Sequence, residues 1–167
     1  MNYLRTTTLL FIFLCSIIQT NAQNDVSDEL MKQGVWFLYA TRIEEKTADN
    51  ESISQDEFFK KDDVSSMFFE KDKVYSVYSK IGNDVLEDGW KIVDDTHFVM
   101  VGPDDGSAQM MEILELSSER LVIKSCNEID NLVSCTQFTY LSSKDKWPTD
   151  TEIDNMNAAS MADSTSE

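Results

Sequence analysis

The chain has 167 residues and a formal charge of −17, with 31 Asp and Glu against 14 Lys and Arg. That length suits one domain, and so acidic a surface repels nucleic acid and anionic lipid. No basic stripe with interleaved aromatics is present to reverse that exclusion.

Residues 1–22 read as a secretory signal peptide. Arg5 gives a positive start, residues 9–18 are apolar, and Thr20-Asn21-Ala22 offers a small residue before a cut at Gln23. The run is too short and wrongly flanked for a membrane span, so none is expected once it is removed. Cys15 follows Leu14, where a lipid-anchored protein would carry a small residue. The expected destination is the periplasm or the medium. About 145 residues then remain, enough to bury a sizeable core.

Residues 23–33 place Val26, Leu30 and Met31 at a spacing for one or two helical turns. Asp25 or Ser27 can cap them, and Gly34 ends them. Residues 35–43 are the most apolar run of the mature chain and form the first expected strand. Residues 44–63 are charged and polar, with Phe58-Phe59 near the end. Links of that length are usually functional or mobile. The segment fits a lid with a short helix over residues 54–60, or a mobile acidic loop, equally well.

Seven short strands follow, at 64–70, 73–80, 89–94, 96–101, 108–116, 120–127 and 132–142. Their even spacing and their Val, Ile, Phe and Tyr content mark an all-β protein. The links are too short for parallel crossovers, so the strands form an up-and-down antiparallel meander. With the first strand the count is eight, which closes a barrel whose interior is filled or holds one small ligand. Partial alternation puts Phe68, Tyr78, Trp90, Phe98, Met100, Met110, Leu114, Ile123, Thr136, Phe138 and Tyr140 inside. Lys73, Lys91, His97, Glu115, Lys124, Gln137 and Thr139 fall on the other face. Residues 143–167 form a polar tail. Thr149 or Asp150 can cap a short helix through Ile153 and Met156, and from Asn157 the tail is too polar to order. The expected domain is therefore a barrel over residues 34–142, with helical turns at either end.

Signal removal leaves two cysteines, Cys126 and Cys135. With Asp130-Asn131 as a two-residue turn, Ile129 faces Leu132 and Cys126 faces Cys135, at a close, non-hydrogen-bonded position of the ladder. That closeness suits a disulfide, which export would allow to persist. No CxxC spacing or neighbouring His favours a metal or redox pair.

Catalytic signals are lacking. The one histidine, His97, lies on an outer face, and no nucleotide-binding or zinc-protease motif occurs. Residues 102–107 lack the ligand alternation of a calcium loop and read as a tight turn. A reaction inside the barrel would need an inward acid or base, and Glu112 is the one clear candidate. No residue set calls for a cofactor or a metal, and nothing sets the oligomeric state.

Gly34-Val35-Trp36, at the mouth of the first strand after a short helical turn, resembles the Gly-X-Trp signature of lipocalins. The run from Gly89 to Asp95, with His97 to Val101 and Glu112 to Ile123, is similar to small exported lipocalin-like domains of Bacteroidetes-type bacteria. The resemblance spans roughly residues 34–141. It implies a barrel open at one end, a long first loop over the mouth, and Trp36 packed at the closed end. It also implies an Arg from the last strand over that Trp, and here only Lys144 and Lys146 follow.

Two functions are expected from these residues. The first is an exported, non-enzymatic binding protein holding a small lipophilic molecule. Phe68, Tyr78, Trp90, Phe98, Met100, Met110, Ile123, Thr136, Phe138 and Tyr140 would line its site, mostly apolar with a few polar groups. The second is a filled barrel serving as an envelope interaction or inhibitor domain, for which the same residues would be plain core.

Overall fold

The computed structural model describes residues 26–46, 52–78, 84–102, 106–129 and 132–163. The expected signal peptide and the turn at residues 130–131 lie outside them. A first helix, α1 (residues 26–32), is followed by nine strands among the described residues. They are β1 (Val35–Lys46), β2 (Ser52–Phe58), β3 (Ser66–Glu70), β4 (Lys73–Tyr78), β5 (Asp84–Asp94), β6 (His97–Val101), β7 (Ala108–Leu116), β8 (Arg120–Ile129) and β9 (Leu132–Ser142). A second helix, α2 (Asp150–Asp163), ends the described chain.

Each strand pairs antiparallel with its neighbour, and β1 also pairs with β9. The ring β1-β3-β4-β5-β6-β7-β8-β9 is therefore a closed eight-stranded up-and-down barrel. Strand β2 is the ninth. It pairs with the distal half of β1 (Ala40 to Lys46), whose proximal residues Val35 to Phe37 pair with β3.

This arrangement corrects the reading of residues 44–63 as a lid or loop. Among its described residues, 44–46 and 52–58 are strand, and residues 54–60 form no helix. Polar Glu44 to Lys46 extend β1 beyond its apolar run, with partners on both edges. Arg42 binds Asp56 of β2 through two bonds of 2.7 and 2.8 Å. Strand β5 likewise starts at Asp84, earlier than the expected Gly89, because Asp84 to Asp88 pair in full with β4.

The tail also departs from expectation. Thr149 and Glu152 form a capping box, with Thr149 N–H donating to Glu152 Oε2 (2.7 Å) and Glu152 N–H to Thr149 Oγ1 (3.4 Å). The helix then continues past Asn157 to Asp163 because its polar side chains have work on the free edge of β2. Asn157 Oδ1 accepts from Phe58 N–H (2.8 Å) while its Nδ2 donates to Phe58 O (2.9 Å). Ser160 Oγ accepts from Asp56 N–H (3.2 Å) and donates to Asp56 O (2.7 Å). An amide side chain thus stands in for the strand that β2 lacks, blunting an edge open to aggregation. Ile153 is fully buried beneath α2, and Tyr39 packs between Phe58 and Trp147 at 5.7 Å from each ring. Asn157→Ala should cost about 1–2 kcal/mol, read by urea denaturation, and should increase concentration-dependent association.

The hairpin joining β5 to β6 carries the strongest acid-base perturbation. Asp94, exposed on the surface, accepts from Thr96 N–H (2.8 Å) and faces His97 Nδ1 (2.9 Å). The Thr96 N–H first, then the His97 ring, hold its carboxyl down to about 2. A depressed acid stabilises the fold fully above the ordinary carboxylate range and loses that contribution as pH falls toward 2. Wild type should therefore lose thermal stability between pH 4 and about 2 more steeply than Asp94→Asn, in parallel melting series.

Candidate functional site

The two ends of the barrel differ. Strand β1 starts beside α1, and the antiparallel order puts the short turns at residues 71–72, 95–96 and 117–119 at that same end. Leu30 of α1 and Trp36 of β1 are both fully buried, and Trp36 Nε1 donates to Leu30 O (3.2 Å). Gly34 turns the chain between them at φ +77°, a left-handed conformation that glycine adopts without penalty. Helix α1 thus plugs this end. Lys144 Nζ donates to the buried Gln33 Oε1 at 3.3 Å, tying the chain after β9 to the end of α1.

Above the plug the inward side chains form a buried apolar cluster. Phe69, Trp90 and Phe98 meet edge to face, with ring centroids 4.9, 5.8 and 6.2 Å apart. Trp90 Nε1 donates to Glu70 O (2.7 Å), so its one polar atom is satisfied. Met67, Val74, Met111, Ile113, Leu121 and Ile123 complete this core.

Toward the far end the inward face changes character. Ile43, Leu86 and Leu132 share the inner face with the core by strand alternation, yet are 41 %, 53 % and 38 % exposed. Between this rim and the aromatic core lie polar inward positions. Gln109 Nε2 donates to Oγ of buried Ser125 (2.9 Å), and Thr136 is the register partner of Ser125. Ser76 and Asp88, both half-buried, face inward on β4 and β5. By strand alternation these residues line a cup with an aromatic floor, a polar belt and a solvent-exposed rim that carries Glu45 beside its apolar residues.

Of the residues expected inside, Trp90, Phe98, Met100, Ile123, Thr136, Phe138 and Tyr140 do face the interior. The Tyr78 side chain lies outside the described residues. Three expectations are corrected. Phe68 is on the outer face, stacked on Tyr75 at 4.7 Å, because its neighbours Met67 and Phe69 take the two inward positions. Met110 is 51 % exposed, and Met111, paired with Phe98, is the inward methionine. Leu114 is also outside, at the register shift between Ile113 and Glu115. Glu112, the one acid that might have served chemistry inside, is exposed on the outer face opposite His97 and Lys124.

Asp88, Gln109 and Ser125 were not singled out in the sequence. Polar residues inside a barrel look like outer-face residues until the parity of each strand is known. Cys126 and Cys135 face one another with Cα atoms 4.0 Å apart and are joined by a disulfide near the open end. Among the described residues no group of three or more His, Cys, Asp or Glu could hold a metal ion. No described helix is long and apolar enough to cross a membrane.

No protein-family model matches the chain, and no curated protein does. Solved structures do. Insecticyanin from the tobacco hornworm Manduca sexta is similar at TM-score 0.45 and 13 % identity, over 80 % of this chain and 72 % of that one. Lipocalin 12 from rat epididymis is similar at 0.42 and 13 %, over 81 % and 77 %. Bovine odorant-binding protein in complex with a selenium-containing odorant is similar at 0.41 and 12 %, over 82 % and 83 %. The barrel thus resembles lipocalins, as Gly34-Val35-Trp36 implied, while none of these matches is bacterial.

Proposed function

We propose that the chain is an exported carrier that holds a small lipophilic molecule in the open half of the barrel. The observation that carries this reading is the contrast between the two ends. Inward residues next to α1, such as Trp36, Phe98 and Leu121, are fully buried, whereas inward Ile43, Leu86 and Leu132 meet solvent. Apolar side chains turned inward but left wet gain free energy when a guest dries them. Half-buried Met100, which packs against the aromatic floor, adapts to varied shapes.

The Cys126–Cys135 bridge supports export, since such bonds persist in oxidising compartments. The outward position of Glu112 supports a carrier over a catalyst. The test is titration with a neutral lipophilic fluorophore, N-phenyl-1-naphthylamine. Saturable one-to-one binding is expected, and Thr136→Trp, which fills the cup, should abolish it. Absence of saturable binding would sink the reading and leave the filled interaction domain in its place.

A further inference from the structure

We infer that the molecule held in the cup carries a positive charge: an apolar body with a protonated amine, for which Asp88 is the counter-ion. This rests on the carrier reading above and names the class of its ligand.

The argument starts from register. Trp90 faces inward, 7 % exposed, against Phe69 and Phe98. Asp88 lies two residues earlier on β5, before the only irregularity of its pairing with β6, so it shares that face. Its register partner on β4 is Val74, which is fully buried in the core. The carboxylate therefore stands about 7 Å along the strand from the aromatic floor, half-buried and beside an apolar neighbour.

It has no hydrogen-bond or ion-pair partner among the described residues, whereas some outer-face acids do. Glu87, one residue away, is paired with Lys73, and Glu44 with Lys124. A half-buried carboxylate left alone is costly, and a cation brought into the cup relieves that cost.

Among the described residues, the sign of the interior agrees. Alternation from Trp36, Phe69, Trp90, Phe98, Ile123 and Phe138 puts every Lys and Arg of β1 and β3–β9 on the outer face. Asp88, and Glu45 at the rim, are inward. A fatty-acid carboxylate would find only like charge there. The chain's overall charge of −17 adds a field that draws cations toward it.

The experiment compares three probes with one tail, dodecylamine, dodecanol and dodecanoate, by competition against N-phenyl-1-naphthylamine at neutral pH. In wild type the amine should bind roughly tenfold or more tighter than the alcohol, and the carboxylate weaker than both. Asp88→Asn should reduce the amine's advantage to about twofold while keeping the alcohol. Glu112→Gln removes one negative charge from the outer face and should leave the advantage intact, separating the cup from general attraction. An amine no tighter than the alcohol in wild type overturns the inference while dodecanol binding keeps the carrier reading. The same advantage surviving in Asp88→Asn also overturns it. If wild type binds none of the three, the carrier reading itself fails. Should Asp88→Asn lose dodecanol through misfolding, Asp88→Ser takes its place, and the wild-type ratio still decides.

Discussion

Trp36→Ala should lower the unfolding free energy by about 3–5 kcal/mol, the largest effect of any single change considered. The ring is fully buried, and it joins three parts of the molecule at once. It caps the C-terminal end of α1 through Leu30 O, and its register partners are Met67 on β3 and Ser142 on β9. Alanine leaves a cavity where barrel closure and helix plug meet, and it removes the donor from the Leu30 carbonyl. Trp36→Phe should cost much less, about 1–2 kcal/mol, because most of the packing survives and one hydrogen bond goes. Urea denaturation of the three proteins separates the terms. A loss below about 1 kcal/mol for Trp36→Ala would mean that α1 is not docked as described.

Much of this architecture could be read from residues, and its gaps have physical causes. Strand β8, with Leu121 and Ile123 on one face and Arg120 and Lys124 on the other, shows its parity directly, and the register of Cys126 against Cys135 followed from counting outward along the hairpin. Strand β7 hid its parity because Met110 and Met111 are consecutive and equally apolar, and an irregularity after Ile113 shifts the alternation again. Strands β2 and the first half of β5 were missed for another reason. Strand β2 is polar apart from Ile53 and Phe58, and the first half of β5 is mostly acidic with Val85 and Leu86 adjacent rather than alternating; both are stabilised by ladder bonds and by pairs such as Arg42–Asp56 and Lys73–Glu87. Helix α2 likewise gets its last turns from Asn157 and Ser160 on a strand some 100 residues away in sequence, which no local pattern can display. The site suffered most. Its floor is aromatic and legible, but its belt of Asp88, Gln109 and Ser125 consists of polar residues that become interior only once closure sets which face is in.

Replacing Cys126 and Cys135 together with serine should cost about 2–3 kcal/mol. The bridge spans a sequence separation of 9 and joins residues directly opposite on β8 and β9, so it closes a short loop and removes little unfolded-state freedom. The β8–β9 ladder runs without a register shift on both sides of the pair, from Arg120–Leu141 to Ile129–Leu132, so the serine variant should fold to the same barrel. Urea unfolding should then show a lower midpoint at an unchanged slope, since the surface exposed on unfolding is the same. Reductant should reproduce that shift in wild type and do nothing further to the variant. A wild type indifferent to reductant would mean that the bridge is not formed in solution. Because it ties β8 to β9 at the open end, its loss should also speed amide exchange around Lys124 and Gln137 before it reaches Phe98 in the packed half, where α1 and the aromatic trio hold the strands independently.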